Sequence, residues 1–223
     1  MEFSELGVKK CRLEDSKCLR DAFQAALPRF IKGIPEYGVE VMDEMTIDKA
    51  HFEITGLEFM LTNGRLMGDK DIVIDRIKFD KNNKMLEIVY HVPLYILKGH
   101  YKTSGKLLTL PIEGDGDMEL KLENIAITSK LHWEIIKKGD KSYITIKDTY
   151  YEFDIGNAHY HLSNLFKGNK ELSDTMLKLI NDNSKELTVE FGKPIMDIVA
   201  TKTFKNVKKF LAKLPLEDIA IVD

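Results

Sequence analysis

The apolar residues of this chain change their spacing twice, and that limits the folds open to it. Across residues 39–166 they recur at every second position: Leu57, Phe59 and Leu61; Leu86, Ile88, Tyr90 and Val92; Met118, Leu120 and Leu122; Leu131, Trp133 and Ile135. That is strand spacing, because successive side chains on a strand face opposite sides. Across residues 172–214 the spacing becomes three and four. Leu172, Met176, Ile180, Leu187, Phe191, Ile195, Ile198 and Val199 form one stripe, continued by Phe204, Val207, Leu211 and Leu214. A shorter helical stretch, residues 16–32, precedes the strands with Leu19, Phe23, Ala26, Leu27, Phe30 and Ile31. Ser16 is placed to cap it, and Gly33 and Pro35 to stop it.

Turn signals divide the strand region at "TNG" (62–64), "KNNK" (81–84), "TSG" (103–105), "GDG" (114–116), "KKGDK" (137–141) and "IGN" (155–157). They predict about eight strands. With no helical spacing between them, the strands read as an antiparallel meander. Several, such as "IVYHVPLYIL" and "LLTLPI", are apolar on both faces. A sheet that curls around a helix or a ligand needs such strands.

The C-terminal stripe is long enough for a helix of roughly 60 Å, more than the width of a domain this size. Its middle carries "EFGKP", with Gly192 and Pro194. Proline removes one backbone donor and crowds the carbonyl four residues earlier, which bends a helix. One bent helix, or the end of one helix and the start of another, both fit; the bent helix is preferred. The expected architecture is α+β: one elongated domain over residues 1–223, with a highly curved antiparallel sheet wrapped around a long C-terminal helix.

Composition excludes some functions. Lys plus Arg number 33 and Asp plus Glu 36, a net charge of −3, so a general nucleic-acid binder is not expected. No run approaches 18 uncharged apolar residues, so no spanning helix is expected. The opening "MEFSELGVKKC" has no apolar core of a signal peptide. It fits a cytosolic protein or a mature chain that has lost its leader. The two cysteines, Cys11 and Cys18 in "CRLEDSKC", lack metal-site or redox spacing. Free thiols of a reducing compartment are one reading. A disulfide, the preferred one, implies an oxidising compartment and would contribute about 2.5 kcal/mol by closing this loop.

Catalytic motifs are scarce. The chain contains no GxSxG, P-loop or HExxH pattern. "GDGDME" (114–119) lacks the calcium-loop spacing and reads as a hairpin tip. His159 and His161 share one strand face, but no third ligand is near in sequence, so no metal is expected there. Ester hydrolysis would require Ser104 or Ser129 to meet a histidine, and no motif supports it. No cofactor is expected. The basic "KTFKNVKKFLAKL" (202–214) reads as lysines complementing the helix dipole rather than as a membrane-surface helix.

What remains is an apolar surplus. Eleven Phe, eight Tyr, nine Met and one Trp accompany strands apolar on both faces, which suits an adaptable apolar cavity. The helix stripe offers Met176, Ile180, Phe191, Ile195 and Val199 as lining. The facing strands offer Phe52, Phe59, Phe79, Tyr90, Trp133, Tyr151 and Phe153.

Five segments, spread in order over nearly the whole chain, carry a resemblance: "CRLEDSKCL" (11–19), "ALPRFIKGIPEYGVEVMD" (26–43), "LPIEGDGDMELKLENI" (110–125), "LSNLFKGNKELSDTMLKLIND" (162–182) and "EFGKPIMD" (190–197). They resemble the insect takeout and juvenile-hormone-binding-protein family, most closely its moth takeout branch. "LFKGNKELSD" is the most specific, with Lys167 where the family usually has Asn. The resemblance implies a tubular lipid-binding fold and a secreted, non-enzymatic carrier of a long hydrophobic molecule, such as a fatty acid, terpenoid or polyprenyl lipid. It implies a Cys11–Cys18 disulfide and links to circadian and chemosensory physiology. Hormone-binding moth members usually have four cysteines, and this chain lacks the second pair. Juvenile hormone is therefore the alternative ligand. A receptor-interacting signalling protein without a cavity is the alternative role. A monomer is expected.

Overall fold

The computed structural model describes residues 9–221. The N-terminal stretch on which the leader question turns lies outside the described residues. In chain order the elements are β1 (Cys11–Arg12), α1 (Ser16–Ile31), β2 (Met45–Ile54), β3 (Leu57–Met67), β4 (Val73–Asp80), β5 (Met85–Leu107), β6 (Leu110–Lys138) and β7 (Lys141–Asp154). They continue with β8 (Asn157–Leu162), α2 (Lys170–Asp182), α3 (Ser184–Phe191), α4 (Lys193–Lys213), α5 (Leu216–Ile219) and β9 (Ala220–Ile221).

The main sheet runs β2-β3-β5-β6-β7, with β4 also on β5 and β8 also on β6. All of these pairings are antiparallel. β5 and β6 are long enough to serve two neighbours each. β5 pairs with β4 along its first half and β3 along its second. β6 pairs with β8 first and β7 afterwards. Drawn straight, the 29 residues of β6 would reach roughly 95 Å at about 3.3 Å each. A compact chain of this size has a radius of gyration near ~17 Å, so the strands must coil. The sheet curls into a half-barrel, and the helices fill its concave side. The α+β expectation therefore holds, with α4 as the long C-terminal helix.

The alternation placed the strands well, but several turn signals were misread. "KNNK", "KKGDK" and "IGN" do separate strands. "TNG" lies within β3, where the register shifts between Thr62 and Arg65, so it is a bulge. "TSG" and "GDG" lie inside β5 and β6, and the chain turns at Leu108 and Thr109, both with positive φ (55° and 98°). The glycines of "GDG" serve close approach instead. A Cβ on Gly116 would sit 2.5 Å from the Ser163 carbonyl oxygen, and one on Gly114 would sit 2.6 Å from the Tyr101 hydroxyl.

The helices bring two further corrections. Asp15, not Ser16, caps α1; its carboxylate accepts from the Cys18 amide at 2.9 Å. The C-terminal stripe is divided twice. Gly192 keeps helical angles, but Pro194 at the start of α4 has no N–H to give the preceding turn. The second break, at Asn183 (φ −117°, ψ 23°), has no such sequence mark.

Three amide side chains pin helices to neighbouring backbone by donating and accepting together. Gln24 of α1 donates to Ile72 O (3.0 Å) and accepts from Ile74 N (2.7 Å). Asn181 of α2 does the same with Tyr160 (3.0 and 2.7 Å). Asn206 of α4, which is buried, does so with Glu40 (both 3.1 Å). The basic face of α4 reinforces this last clamp. Lys205 and Lys209 pair with Glu40, while Lys202 and Lys213 donate to the carbonyls of Thr46 and Glu36. These lysines hold the 36–46 segment, a job the dipole reading of the sequence did not foresee.

Cys11 and Cys18 are disulfide-bonded, with Cα atoms 5.7 Å apart. The bond ties β1, which pairs in parallel with β9, to the first turn of α1. Thiol labelling of the denatured, unreduced protein should therefore modify neither cysteine; modification of both contradicts the bond.

Candidate functional site

α1 is amphipathic, and its apolar face does not press directly on the sheet along its whole length. Between α1, the concave face of the sheet and the second half of α4 lies a cavity of about 200 Å³. A single water needs only ~10–15 Å³, so this is space for a molecule of many heavy atoms. Leu19, Phe23, Leu27 and Phe30 of α1 form one wall. The sheet supplies Ile74 and Phe79 from β4, Leu86, Ile88 and Tyr90 from β5, and Ser129 and Leu131 from β6. The β5 and β6 residues are every-second-residue sets, so strand alternation builds that part of the floor, while Ile74 and Phe79 lie five positions apart across the register shift between Ile74 and Arg76. Phe204, Val207, Phe210 and Leu214 of the α4 run close the far side, and Cys11 and Ala220 close one end. Phe30 and Phe210 meet edge to face at 5.5 Å. Among the described residues only Lys9, Tyr90, Ser129 and Thr203 bring polar side chains to the lining.

The cavity has a polar end. A niche of about 30 Å³ shares Met42, Ile72, Tyr90, Ser129, Thr203 and Phe204 with it and adds Asp69, Tyr95 and Tyr151. Asp69 is 3% exposed. It follows Gly68, whose φ of +135° and lack of a Cβ admit the Leu94 carbonyl; a Cβ there would lie 2.3 Å from that oxygen. The Gly68 amide donates to Asp43 at 2.9 Å, which fixes the bend that turns Asp69 inward. Tyr95 donates its hydroxyl proton to Asp69 Oδ1 at 2.5 Å, while Oδ2 has no partner. Burial pushes the Asp69 carboxyl up to about 6; the Tyr95 hydrogen bond opposes this and the Asp43 charge adds to it. The Tyr90 phenol is likewise pushed up to about 12 by burial, against a hydrogen bond with Ser129. Tyr151 donates to Asp197 at 2.6 Å, a carboxylate also paired with Lys193 at 2.8 Å.

The residues proposed from sequence fall in several places. Phe79 and Tyr90 line the cavity, and Tyr90, Tyr151 and Val199 line the niche. Trp133 stands behind Phe79, stacked at 4.5 Å. Phe52 and Phe59 stack at 5.3 Å, and Phe59 continues onto Tyr101. Phe153 stacks beside Tyr151 at 6.2 Å. Met176 and Ile180 are buried on α2, which packs on β8, and Phe191 and Ile195 flank the break between α3 and α4. These last eight lie outside the cavity lining. Sequence reading missed the α1 wall, whose stripe passed for ordinary core, and it missed Asp69 altogether.

No Ser–His pair forms at the serines considered for hydrolysis. Ser104 donates to Glu58 at 3.3 Å, and that carboxylate separates it from His51. Ser129 faces Tyr90. His159 and His161 lie exposed on β8 opposite Lys121 and Glu119. Among the described residues no cluster of three metal-ligating side chains occurs, and no helix is long and apolar enough to cross a membrane.

The family model described as haemolymph juvenile hormone binding protein matches residues 2–221. The chain belongs to that family. Its members are carriers of lipophilic ligands, and the takeout resemblance of the sequence agrees with the structural comparison. Takeout 1 of Epiphyas postvittana has a crystal structure that superposes with a TM-score of 0.93 at 48% identity, covering 96% of this chain and all of that one. The circadian clock-controlled protein daywake of Drosophila yakuba is 28% identical over 224 residues, 95% of this chain and 86% of its own. Its Drosophila melanogaster counterpart is 28% identical over 223 residues with the same coverage.

Proposed function

We propose that this chain is a secreted, monomeric carrier of a long hydrophobic small molecule, such as a fatty acid, terpenoid or polyprenyl lipid. One observation carries the reading: the apolar cavity enclosed by α1, the sheet and α4. Apolar surface moved from water into such a space gains about 25 cal/mol per Å² before the costs of association. The haemolymph family and the Cys11–Cys18 bond support secretion. Juvenile hormone is the second reading, favoured by the family description; the chain has only two cysteines. The cavity weighs against a cavity-free signalling role.

Organic-solvent extraction of the purified protein, followed by mass spectrometry, should yield a bound lipid. N-phenylnaphthylamine should fluoresce on binding and be displaced by long-chain lipids. An empty extract together with no probe binding overturns the proposal.

A further inference from the structure

The buried Asp69 at the end of an apolar cavity needs an explanation. A carboxyl group sealed from water is costly unless its oxygens are hydrogen-bonded. Asp69 Oδ1 has Tyr95, but Oδ2 is buried without a partner, and the residue lines the niche joined to the cavity. Among the described residues no lysine, arginine or histidine lines that niche. Its other polar groups are hydroxyls. Tyr151 has committed its proton to Asp197, and Thr203 has committed its own to the Val199 carbonyl at 3.0 Å. Tyr90 and Ser129 both line the niche, and an interaction between their hydroxyls uses at most one of the two protons, which leaves the other for a guest oxygen.

From this geometry we infer that the niche selects the ligand's head group, taking an uncharged hydroxyl whose proton goes to Asp69 Oδ2 and whose oxygen accepts from the Tyr90–Ser129 pair. The tail occupies the apolar cavity. The inference rests on the carrier reading and narrows its ligand class to lipid alcohols. A carboxylate head would meet a second acidic group with no cation between them, and like charges at short range disfavour each other. An ether would accept a hydrogen bond but leave Oδ2 unpaired. The niche is small enough, at about 30 Å³, to admit a hydroxyl or one or two waters and little more.

Displacement of N-phenylnaphthylamine at about pH 8, where an isolated decanoic acid is ionised, tests this with three ligands of one chain length. These are n-decanol, decanoate and decyl methyl ether. In the wild-type protein n-decanol should displace the probe roughly tenfold more tightly than either, the factor that one unpaired buried polar group accounts for. Asp69→Asn keeps an acceptor for Tyr95 and removes the charge, so it should narrow the gap between decanol and decanoate. Asp69→Leu should erase the preference of decanol over the ether. Equal or tighter binding of decanoate in the wild-type protein overturns the inference, as does an unchanged preference in folded Asp69→Leu. If the probe binds and all three ligands compete equally, the carrier reading stands and the head-group assignment falls. If nothing binds, both fall.

Discussion

Ile88→Trp should remove probe and lipid binding while leaving the protein as stable as the wild type. Ile88 lies on the floor of the cavity, between Leu86 and Tyr90 on the same face of β5, and is only half-buried although it points inward. The larger indole would extend into space that protein atoms do not fill. In a close-packed core such an insertion costs about 1–3 kcal/mol. Here the added apolar surface finds room, and the loss appears in binding instead, by roughly a hundredfold or more if the indole displaces several methylenes at about 0.8 kcal/mol each. Leu61→Trp supplies the contrast. Leu61 is fully buried, and its side chain abuts the Cα positions of Gly64 and Gly99. That substitution should lower stability by about 1–3 kcal/mol. The pair is read by urea unfolding and probe titration. If Ile88→Trp is destabilised as much as Leu61→Trp while its folded fraction binds normally, the cavity is not the binding site. Ile195 would be a poor place for the same test, because it is buried beside the α3–α4 break and outside the lining.

These two residues also show what the sequence could and could not reveal. The alternation that runs through Leu86, Ile88 and Tyr90 put all three on one face, and the structure keeps them there. Strand identity and facing are local, because the pleat has a fixed period of two. Which stretch of that face stays uncovered is a tertiary fact. It depends on where α1 lands, and α1 is positioned by Gln24 gripping the backbone of Ile72 and Ile74, fifty residues away. Met176 and Ile180 were equally plausible by spacing, but α2 packs against β8, so they serve as core. The turns fail for a different reason. A glycine that permits positive φ and a glycine that permits close approach look alike in sequence, so Gly114 and Gly116 read as a hairpin tip until Tyr101 and Ser163 are seen against them. Asp69 was hidden by its neighbours. "GDKD" has the composition of a solvated turn, and its first carboxyl turns inward because the Leu94 carbonyl crowds Gly68 and Asp43 grips its amide.

The buried carboxyl leaves a signature that does not require knowing the ligand. Its proton affinity is raised, from an ordinary 3.8 to about 6, chiefly by burial. An unfolded chain releases this proton near the ordinary value, so between about pH 4 and pH 6 the folded state holds more of it. Stability must then fall as pH rises through that window, and the deficit is complete above it. The shift corresponds to about 3 kcal/mol. The charged and titratable groups in play are Asp43, Tyr90 and Tyr95, and both tyrosines stay neutral throughout because burial raises them further. Asp69→Asn removes the titration while its amide oxygen still accepts from Tyr95. Relative to wild type, the variant should therefore gain roughly 2 kcal/mol between pH 4 and pH 7.5, the rest of the shift falling below pH 4, whatever constant offset its unpaired amide hydrogens add. Taking the difference matters, because Glu40, Asp80 and Glu217 are held below their ordinary values by hydrogen bonds. They weaken both proteins alike at low pH. Urea unfolding of the two proteins, freed of lipid and compared across this range, reads the slope directly. A difference that stays flat with pH would mean that Asp69 already has a partner for its second oxygen in the empty protein. A bound lipid alcohol, by supplying that partner, should flatten the wild-type curve toward that of the variant.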